Sequence, residues 1–155
     1  MRRTTATTVV LLACLARSAW ATEGLPAGKE LGIGLIVGHP TGLSAKVGLG
    51  GRLAIDAALG WRFGDSAGLR LHGDLLVHQT LTRGSGMALA LYVGIGPSVG
   101  AHRDQVGLAV RLPVGLALTF GSTPIDTFLE LVPSLGILPG SSFFLNAAIG
   151  VRLWF

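Results

Sequence analysis

His72 and Asp74 are the two residues whose types and spacing come closest to acid–base chemistry. They lie two positions apart in an alternating segment, so their side chains share one face of a predicted strand. A hydrolytic triad also needs a nucleophile, and the strand order places no serine or cysteine beside them. His78 shares this face, but about 20 Å of strand separates it from His72, so the two imidazoles cannot bind one metal ion. The sequence predicts a structural, hydrogen-bonded His72 and no catalytic, metal or cofactor site.

Every charged side chain of the alternating segments lies on the face formed by small and polar residues, and none lies on the apolar face. A Lys or Arg that faces hydrocarbon costs about 2 to 4 kcal/mol near the midplane of a bilayer. The apolar face is therefore expected to contact lipid, and the charged face to line an enclosed interior. We predict a structural network of salt bridges in that interior, formed by Lys46, Arg62, Arg70, Arg111 and Arg152 with Asp56, Asp74, Asp126 and Glu130.

The segments that position these side chains are long enough to cross a membrane as tilted strands, which takes about 9 to 11 residues each. Turn residues such as His39-Pro40-Thr41 separate them. They predict an all-β fold, an eight-stranded antiparallel up-and-down transmembrane β-barrel with short loops. The predicted strands are 31–37, 43–49, 53–63, 69–81, 87–99, 106–120, 125–137 and 143–155.

A soluble barrel with an apolar core would give the same alternation with the two faces exchanged. Charged residues make up only 13% of the chain and hydrophobic residues 50%, and the mean hydropathy is +0.62. The supposed water-facing row would be mostly glycine and alanine, too poor in charge for a soluble surface. No apolar run of 18 or more residues occurs, so a helical span is excluded. These observations favour the membrane barrel.

The amino terminus has the pattern of a secretory signal peptide. Arg2 and Arg3 precede an apolar run, and Ala19-Trp20-Ala21 forms a small-x-small cleavage site. An alternative interpretation is a lipoprotein signal with Cys14 lipidated. The predicted organisation is a signal peptide at 1–21, a short periplasmic leader at 22–30 and an outer-membrane barrel at 31–155.

Cleavage after Ala21 would remove Arg2, Arg3 and Arg17 from a chain whose formal net charge is +4. Most of the basic excess is then lost, and the remainder is scattered along the strands. The high isoelectric point therefore gives no support for a nucleic-acid partner.

The last strand ends in Val151-Arg152-Leu153-Trp154-Phe155, after a predicted signal peptide and seven earlier strands. In this the chain resembles the OmpA transmembrane-domain and OmpX class of small outer-membrane barrels. Its Gly38 to Ser44 and Ala57 to Trp61 stretches are similar to a family of small bacterial outer-membrane proteins of uncharacterised function. The resemblance implies an integral outer-membrane location, with Phe155 as the signal that the outer-membrane assembly machinery recognises. The chain differs from OmpA in its short loops and in having no predicted periplasmic peptidoglycan-binding domain.

The resemblance places both termini in the periplasm and four connections outside, each of only a few residues. Stable recognition typically buries about 800 Å² per partner, so these turns form a poor adhesin surface. An eight-stranded barrel is just wide enough for side chains to fill. We therefore expect a structural or undefined surface role for a monomer surrounded by outer-membrane lipid and lipopolysaccharide. A narrow solute pore, a small-ligand or anion-binding barrel, and recognition through the rim stay open, because many inward positions are glycine. The predicted external connections are 39–42, 64–68, 101–105 and 138–142.

Two hairpin registers follow from the alternation. Parity requires a three-residue connection at 50–52 that places Leu49 opposite Leu53 and Lys46 opposite Asp56, with a glycine in the left-handed region.

The second register concerns the next hairpin. If Phe63 pairs with Leu69, Arg62 and Arg70 lie opposite each other near the outer mouth. Like charges in this position destabilise a ladder, so we expect Asp74, water or an anion such as a lipopolysaccharide phosphate to relieve them. Pro97, Pro113 and Pro133 lack the ladder donor and predict bulges or early strand ends.

Overall fold

The computed structural model describes residues 23–62, 68–102 and 104–155, with the side chain of Arg62 left outside the description. The predicted signal peptide and its cleavage site lie outside these residues. No helix within the described ranges is long and apolar enough to cross a membrane.

The described chain forms nine antiparallel strands in one closed sheet. β6 and β7 hold the same position between β5 and β8, so the ring has eight strand positions. Pairing of β1 with β9 and of β4 with β5 closes the ring. The predicted all-β, eight-stranded antiparallel barrel is confirmed. The strands are β1 (Leu31–Gly38), β2 (Gly42–Gly50), β3 (Leu53–Arg62), β4 (Gly68–Gly84), β5 (Met87–His102), β6 (Gln105–Arg111), β7 (Val114–Phe120), β8 (Ile125–Leu138) and β9 (Ser142–Trp154).

The two faces of the sheet have the composition that the alternation predicts. The outer face carries exposed apolar side chains along its strands, such as Leu35 on β1 and Leu145 on β9. The inner face carries charged side chains that are almost inaccessible, such as Lys46 and Arg152. Because consecutive side chains of a strand point to opposite faces, the same strands supply both surfaces.

The sixth predicted strand is interrupted where a proline falls within it. Leu112 and Pro113 separate β6 from β7, and the Leu112 amide donates to the carbonyl of Pro133 at 2.9 Å. The Pro133 carbonyl therefore points towards this interruption. The N–H group that a proline lacks would point the same way, because a strand residue directs its N–H and C=O groups towards the same neighbouring strand. Pro133 consequently stays in an unbroken ladder with β9, opposite Leu145. The expected strand end is confirmed at Pro113. At Pro133 the expectation is wrong for the ladder between β8 and β9, which continues without a bulge.

Pro97 has a smaller effect on the sheet. The β4–β5 ladder lacks pairs between His72–Ser98 and Leu75–Ile95, although the register is unchanged across the gap. On its other side Pro97 pairs with Val110 of β6.

The β2–β3 hairpin agrees with the predicted register along most of its length. Lys46 pairs with Asp56, and Gly50 and Gly51 have φ angles of 94° and 61°, a region that suits glycine. The expected pairing of Leu49 with Leu53 is wrong. A bulge between Gly48 and Gly50 brings Gly50 opposite Leu53 and leaves Leu49 outside the pairing.

The predicted pairing of Arg62 with Arg70 is wrong. Arg62 pairs with Gly68, and Arg70 pairs with Gly60. The observed register is displaced by two residues from the predicted one, and a displacement of two preserves the inner and outer faces, so the alternation could not choose between them. The like charges that the observed register brings together are the carboxylates of Asp56 and Asp74.

The two ends of the barrel differ in what covers them. We call the end with the first described residues and Phe155 the terminal end, and the opposite end the loop end. Residues 23–30, the described part of the predicted leader, pack at the terminal end: Glu23 accepts a hydrogen bond from the Thr80 amide at 3.2 Å and lies 3.6 Å from Nε of Arg52. Leu25 is 7% exposed and belongs to the buried apolar cluster. The segment predicted to be a short periplasmic leader thus forms part of the packed structure.

Candidate functional site

Seven charged side chains meet inside the barrel, each 5% exposed or less. They come from six of the nine strands, so the set crosses the interior instead of following one hairpin. We call this set the interior network; it consists of Lys46, Asp56, Asp74, Arg111, Asp126, Glu130 and Arg152. Of the other two side chains predicted to belong to it, that of Arg62 is not described, and Arg70 lies nearer the loop end.

Arg152 of β9 is the cation at the centre of one half of the network. Its Nη2 lies 2.9 Å from Asp56 Oδ2, its Nη1 3.4 Å from Asp126 Oδ2, and its Nε donates to Ser44 Oγ at 3.0 Å. The guanidinium also lies over the ring of Phe128, with Cζ 3.8 Å from the ring centroid. A planar guanidinium suits this site because it can serve two carboxylates and one aromatic face together.

Arg111 of β6 plays the corresponding role in the other half. Its Nε lies 3.0 Å from Asp74 Oδ2, and its Nη2 donates to Glu130 Oε1 at 3.3 Å. The second oxygen of Glu130 accepts a hydrogen bond from the Tyr92 hydroxyl at 3.0 Å. Lys46 completes the network, 3.8 Å from Asp56 and 4.3 Å from the centroid of the Tyr92 ring.

His72 joins the two halves. Arg111 Nη1 lies 2.7 Å from His72 Nδ1, and because a guanidinium only donates, Nδ1 must accept this hydrogen bond. The ring proton is then on Nε2, which lies 3.8 Å from Asp56 Oδ1 and 3.7 Å from Asp74 Oδ2. His72 therefore sits between the two carboxylates that the β3–β4 register places opposite each other. His72 and Asp74 thus share the inner face of β4, as predicted.

The expectation that no serine lies beside His72 is wrong, because Ser98 of β5 is its direct partner across the ladder. Both ring nitrogens of His72 nevertheless face other groups, Nδ1 the guanidinium of Arg111 and Nε2 the two aspartates. A general base needs a nitrogen directed at the nucleophile. The geometry is that of a structural histidine.

Asp56, His72 and Asp74 are also close enough for a metal ion, with one possible ligand atom from each within 4.8 Å of the others. The carboxylates of this group already contact Lys46, Arg111 and Arg152. A divalent cation would have to displace these contacts and share the site with three positive charges. The group is better suited to the ion pairs it forms.

Large aromatic side chains fill the space around the interior network, and each stands opposite a glycine. Tyr92 pairs with Gly115, Phe128 with Gly150, and Trp154 with Gly32. A Cβ added at Gly32 would come within 2.7 Å of the Trp154 ring, and one at Gly115 or Gly150 would overlap the facing ring. The glycines thus provide the room that the rings occupy. The alternation predicts that many inward positions are glycine, but it does not predict which ring faces each glycine.

The loop end contains a cavity of about 410 Å³, which we call the vestibule. Arg70, His39 and His102 contribute to its lining. The two histidines belong to two of the predicted external connections, 39–42 and 101–105, and they share this cavity. Arg70 lies with Cζ 5.8 Å from the centroid of the Phe144 ring. Much of the remaining wall is glycine backbone, at Gly38, Gly60, Gly68, Gly100 and Gly107.

Comparison with known proteins identifies the fold. No protein-family model matches the chain, and no curated protein sequence matches it. A solved structure does match, the N-terminal β-barrel domain of Pseudomonas aeruginosa OprF, with a TM-score of 0.58 and 17% sequence identity. The match covers 81% of this chain and 96% of that one. The chain therefore has the fold of an OmpA-like β-barrel domain, as the resemblance of its strands predicts.

Proposed function

We propose that the protein is an integral outer-membrane β-barrel with a structural role, whose interior is closed by side chains. The outer face supports the membrane location, because a continuous belt of exposed leucine, valine and isoleucine suits hydrocarbon and not water. The fold of the OprF domain and the predicted signal peptide support the outer membrane as the place. In this location the terminal end faces the periplasm and the loop end faces outward.

The observation that carries the structural role is the burial of the interior network. Lys46, Asp126 and Arg152 are 1% exposed or less, although they lie on the face that would line a pore. Water in a continuous channel would contact such side chains. Their ion pairs and the three aromatic–glycine pairs fill the interior instead, as expected for a barrel of eight strands.

Two measurements on the refolded protein test this closure. In planar bilayers, we expect no steady resolved openings from protein whose folded state is verified by heat-modifiable migration in gels. Steady openings would contradict the proposal and support the alternative of a narrow solute pore, for which cavities of about 410 and 430 Å³ at the two ends provide the entrances.

Thiol accessibility locates the closure within the barrel. Ala58 is 3% exposed and pairs with Ser44 and His72 at the level of the network, whereas Gly107 lines the vestibule. With Cys14 replaced by serine, Gly107→Cys should react quickly with a small charged thiol reagent and Ala58→Cys slowly. Equal rates at the two positions would mean that water passes the network.

Phe155 is proposed to act during assembly by the outer-membrane machinery. Its side chain is 60% exposed, while its amide donates to the carbonyl of Leu31 at 2.8 Å. Because replacement of the side chain leaves this backbone bond intact, Phe155→Ala should lower the amount of barrel assembled in cells but not refolding into vesicles. An equal loss in both assays would assign Phe155 to stability instead.

A further inference from the structure

We propose that the leader, residues 23–30, is a releasable plug that closes the terminal end of the barrel and controls the access of water to the interior beneath it. That the plug faces the periplasm rests on the proposed function, but the closure and its release do not.

Two neighbouring residues of the leader reach the inner face of the sheet. Gly24 is buried and lies against His78 of β4 and Ala90 of β5. A Cβ added at Gly24 would come within 2.6 Å of the Ala90 Cβ, so a larger residue could not take this position without moving the leader. Leu25 is 7% exposed and joins the apolar cluster that also contains Tyr92. The leader therefore enters the mouth of the barrel instead of passing outside it.

The attachments of the leader lie on opposite sides of this mouth. On one side the Glu30 amide donates to the Phe155 carbonyl at 3.1 Å, next to the end of β9. On the other side the Glu23 amide donates to the Gly51 carbonyl, and the Glu23 carboxylate accepts from the Thr80 amide of β4 at 3.2 Å. Because β9 and β4 are four positions apart in a ring of eight, the leader crosses the full width of the mouth.

The contacts that hold the leader are few. Residues 23–30 belong to no strand, and residues 27–30 are exposed. The ion pair of Glu23 with Arg52 is largely solvated, since the two side chains are 33% and 51% exposed, and such pairs contribute little to stability. Leu25 supplies the large buried apolar contact. A segment with so little buried apolar surface is expected to open at a lower free energy than the barrel strands.

The hydrogen bonding of His78 also favours release. Lys46 Nζ lies 3.4 Å from His78 Nε2, and because an ammonium group only donates, Nε2 must accept and the ring proton is on Nδ1. Nδ1 is buried and has no hydrogen-bond partner among residues 23–62, 68–102 and 104–155. A buried N–H group without an acceptor costs free energy, which contact with water would recover. The docked leader thus covers a polar group that it does not satisfy.

Release of the leader would enlarge the cavity of about 430 Å³ at the terminal end. Leu25 and Pro26 belong to one wall of this cavity, and the β4–β5 turn and the connection between β7 and β8 form the opposite wall. Since Gly24 lies against His78, removal of the leader would extend the cavity inward to that side chain. The leader therefore separates bulk water from His78.

The test measures how fast a thiol at position 78 reacts in the refolded full chain, in detergent micelles and with Cys14 replaced by serine. His78→Cys is a suitable reporter because cysteine is smaller than histidine and leaves room for the leader. A small charged thiol reagent should react slowly in this background. Gly24→Ala should release the leader through the overlap with Ala90 and accelerate the reaction about tenfold or more.

Gly28→Ala is the matched control within the leader. Gly28 has a φ of 71°, close to the 76° of Gly24, but no described atom lies within 4 Å of a Cβ added there. Both substitutions therefore strain the backbone in the same way, and only Gly24→Ala meets Ala90. Gly28→Ala should change the rate less than about twofold. Ala90→Gly should restore slow labelling to Gly24→Ala, and gel migration verifies that each barrel is folded.

Hydrogen exchange at the Glu30 amide reports release independently, and Leu25→Asp is a second variant that places a charge in the apolar cluster. Fast exchange at Glu30 together with slow labelling of His78→Cys would overturn the plug, as would fast labelling in the parent background. Slow exchange at Glu30 in both Gly24→Ala and Leu25→Asp would overturn its release. Ala58→Cys should stay slow in every variant, so the plug and the closure by the interior network can fail separately.

Discussion

The terminal half and the loop half of the barrel interior use glycine in opposite ways. In the terminal half, Gly32, Gly115 and Gly150 each face an aromatic ring across the ladder, and the ring fills the space. In the loop half, Gly100 faces Gly107, and the space stays open as part of the vestibule. A glycine on the inner face therefore does not by itself predict a cavity. Its cross-strand partner decides whether the interior is packed or open.

The largest effect on stability is expected from removing a buried charge in the terminal half, where the interior is packed. Arg152→Ala leaves Asp56 and Asp126 buried without their main cation, and removing one partner of a buried ion pair costs about 3 to 5 kcal/mol. The measurement is urea unfolding of the refolded protein in lipid vesicles, followed by tryptophan fluorescence. Arg83→Ala at the exposed rim should change the free energy of unfolding by less than about 0.5 kcal/mol. Similar losses for both variants would show that the buried network does not set the stability.

A pair of glycine variants tests the comparison directly. Gly115→Ala would place a methyl group against the Tyr92 ring, and overpacking of a filled interior costs about 1 to 3 kcal/mol. In Gly100→Ala the new methyl group would have no heavy-atom neighbour closer than 3.9 Å, so we expect a change of less than about 0.5 kcal/mol. The same unfolding assay measures both. Equal destabilisation would mean that the two halves are packed to the same density.

A substitution at Leu25 tests whether the leader is packed against the terminal half of the barrel. Its side chain is 7% exposed, and Leu25→Ala removes apolar contact that contributes about 1 to 2 kcal/mol to docking of the leader. Hydrogen exchange is the appropriate measurement, because the Glu30 amide donates to the Phe155 carbonyl at 3.1 Å and reports this docking. Faster exchange at Glu30 with unchanged exchange in β5 is expected. Unchanged exchange at Glu30 would show that Leu25 does not hold the leader.

The smallest effect is expected at Glu23. Its contact with Arg52 is largely solvated, since the two side chains are 33% and 51% exposed, and such pairs contribute about 0.2 to 1 kcal/mol. Glu23→Gln should therefore accelerate exchange at Glu30 less than Leu25→Ala does. The opposite order would indicate that the leader is held by charge more than by apolar burial.

The strands and their faces were predictable because the alternation has a period of two and extends through each strand. The pairing of Lys46 with Asp56 was also predictable, because a short connection and parity left one register for that part of the hairpin. The pairing of Asp56 with Asp74 was not, since it depends on the longer connection between β3 and β4. Docking of residues 23–30 escaped prediction because that segment has no alternation.

The interior network was predictable as a set but not as a list of partners. Parity places Asp56, Asp126 and Arg152 on one face, yet the contact between Asp56 and Arg152 joins residues that are 96 positions apart. Such contacts depend on how far neighbouring strands are displaced along the barrel, which hydrophobic pattern does not encode. Ser98 beside His72 was missed for the same reason.

Arg152 also constrains the order in which the barrel can be completed. It lies on the last strand, whereas its partners Ser44, Asp56 and Asp126 belong to β2, β3 and β8. A sheet of the earlier strands would hold Asp56 and Asp126 without their main cation and would leave the edges of β1 and β8 unpaired, which hydrocarbon does not tolerate. Arrival of β9 neutralises the acids and pairs both edges in a single event. In the proposed outer-membrane location, the earlier strands therefore have reason to stay in contact with water, or with a protein that shields them, until β9 is available to pair.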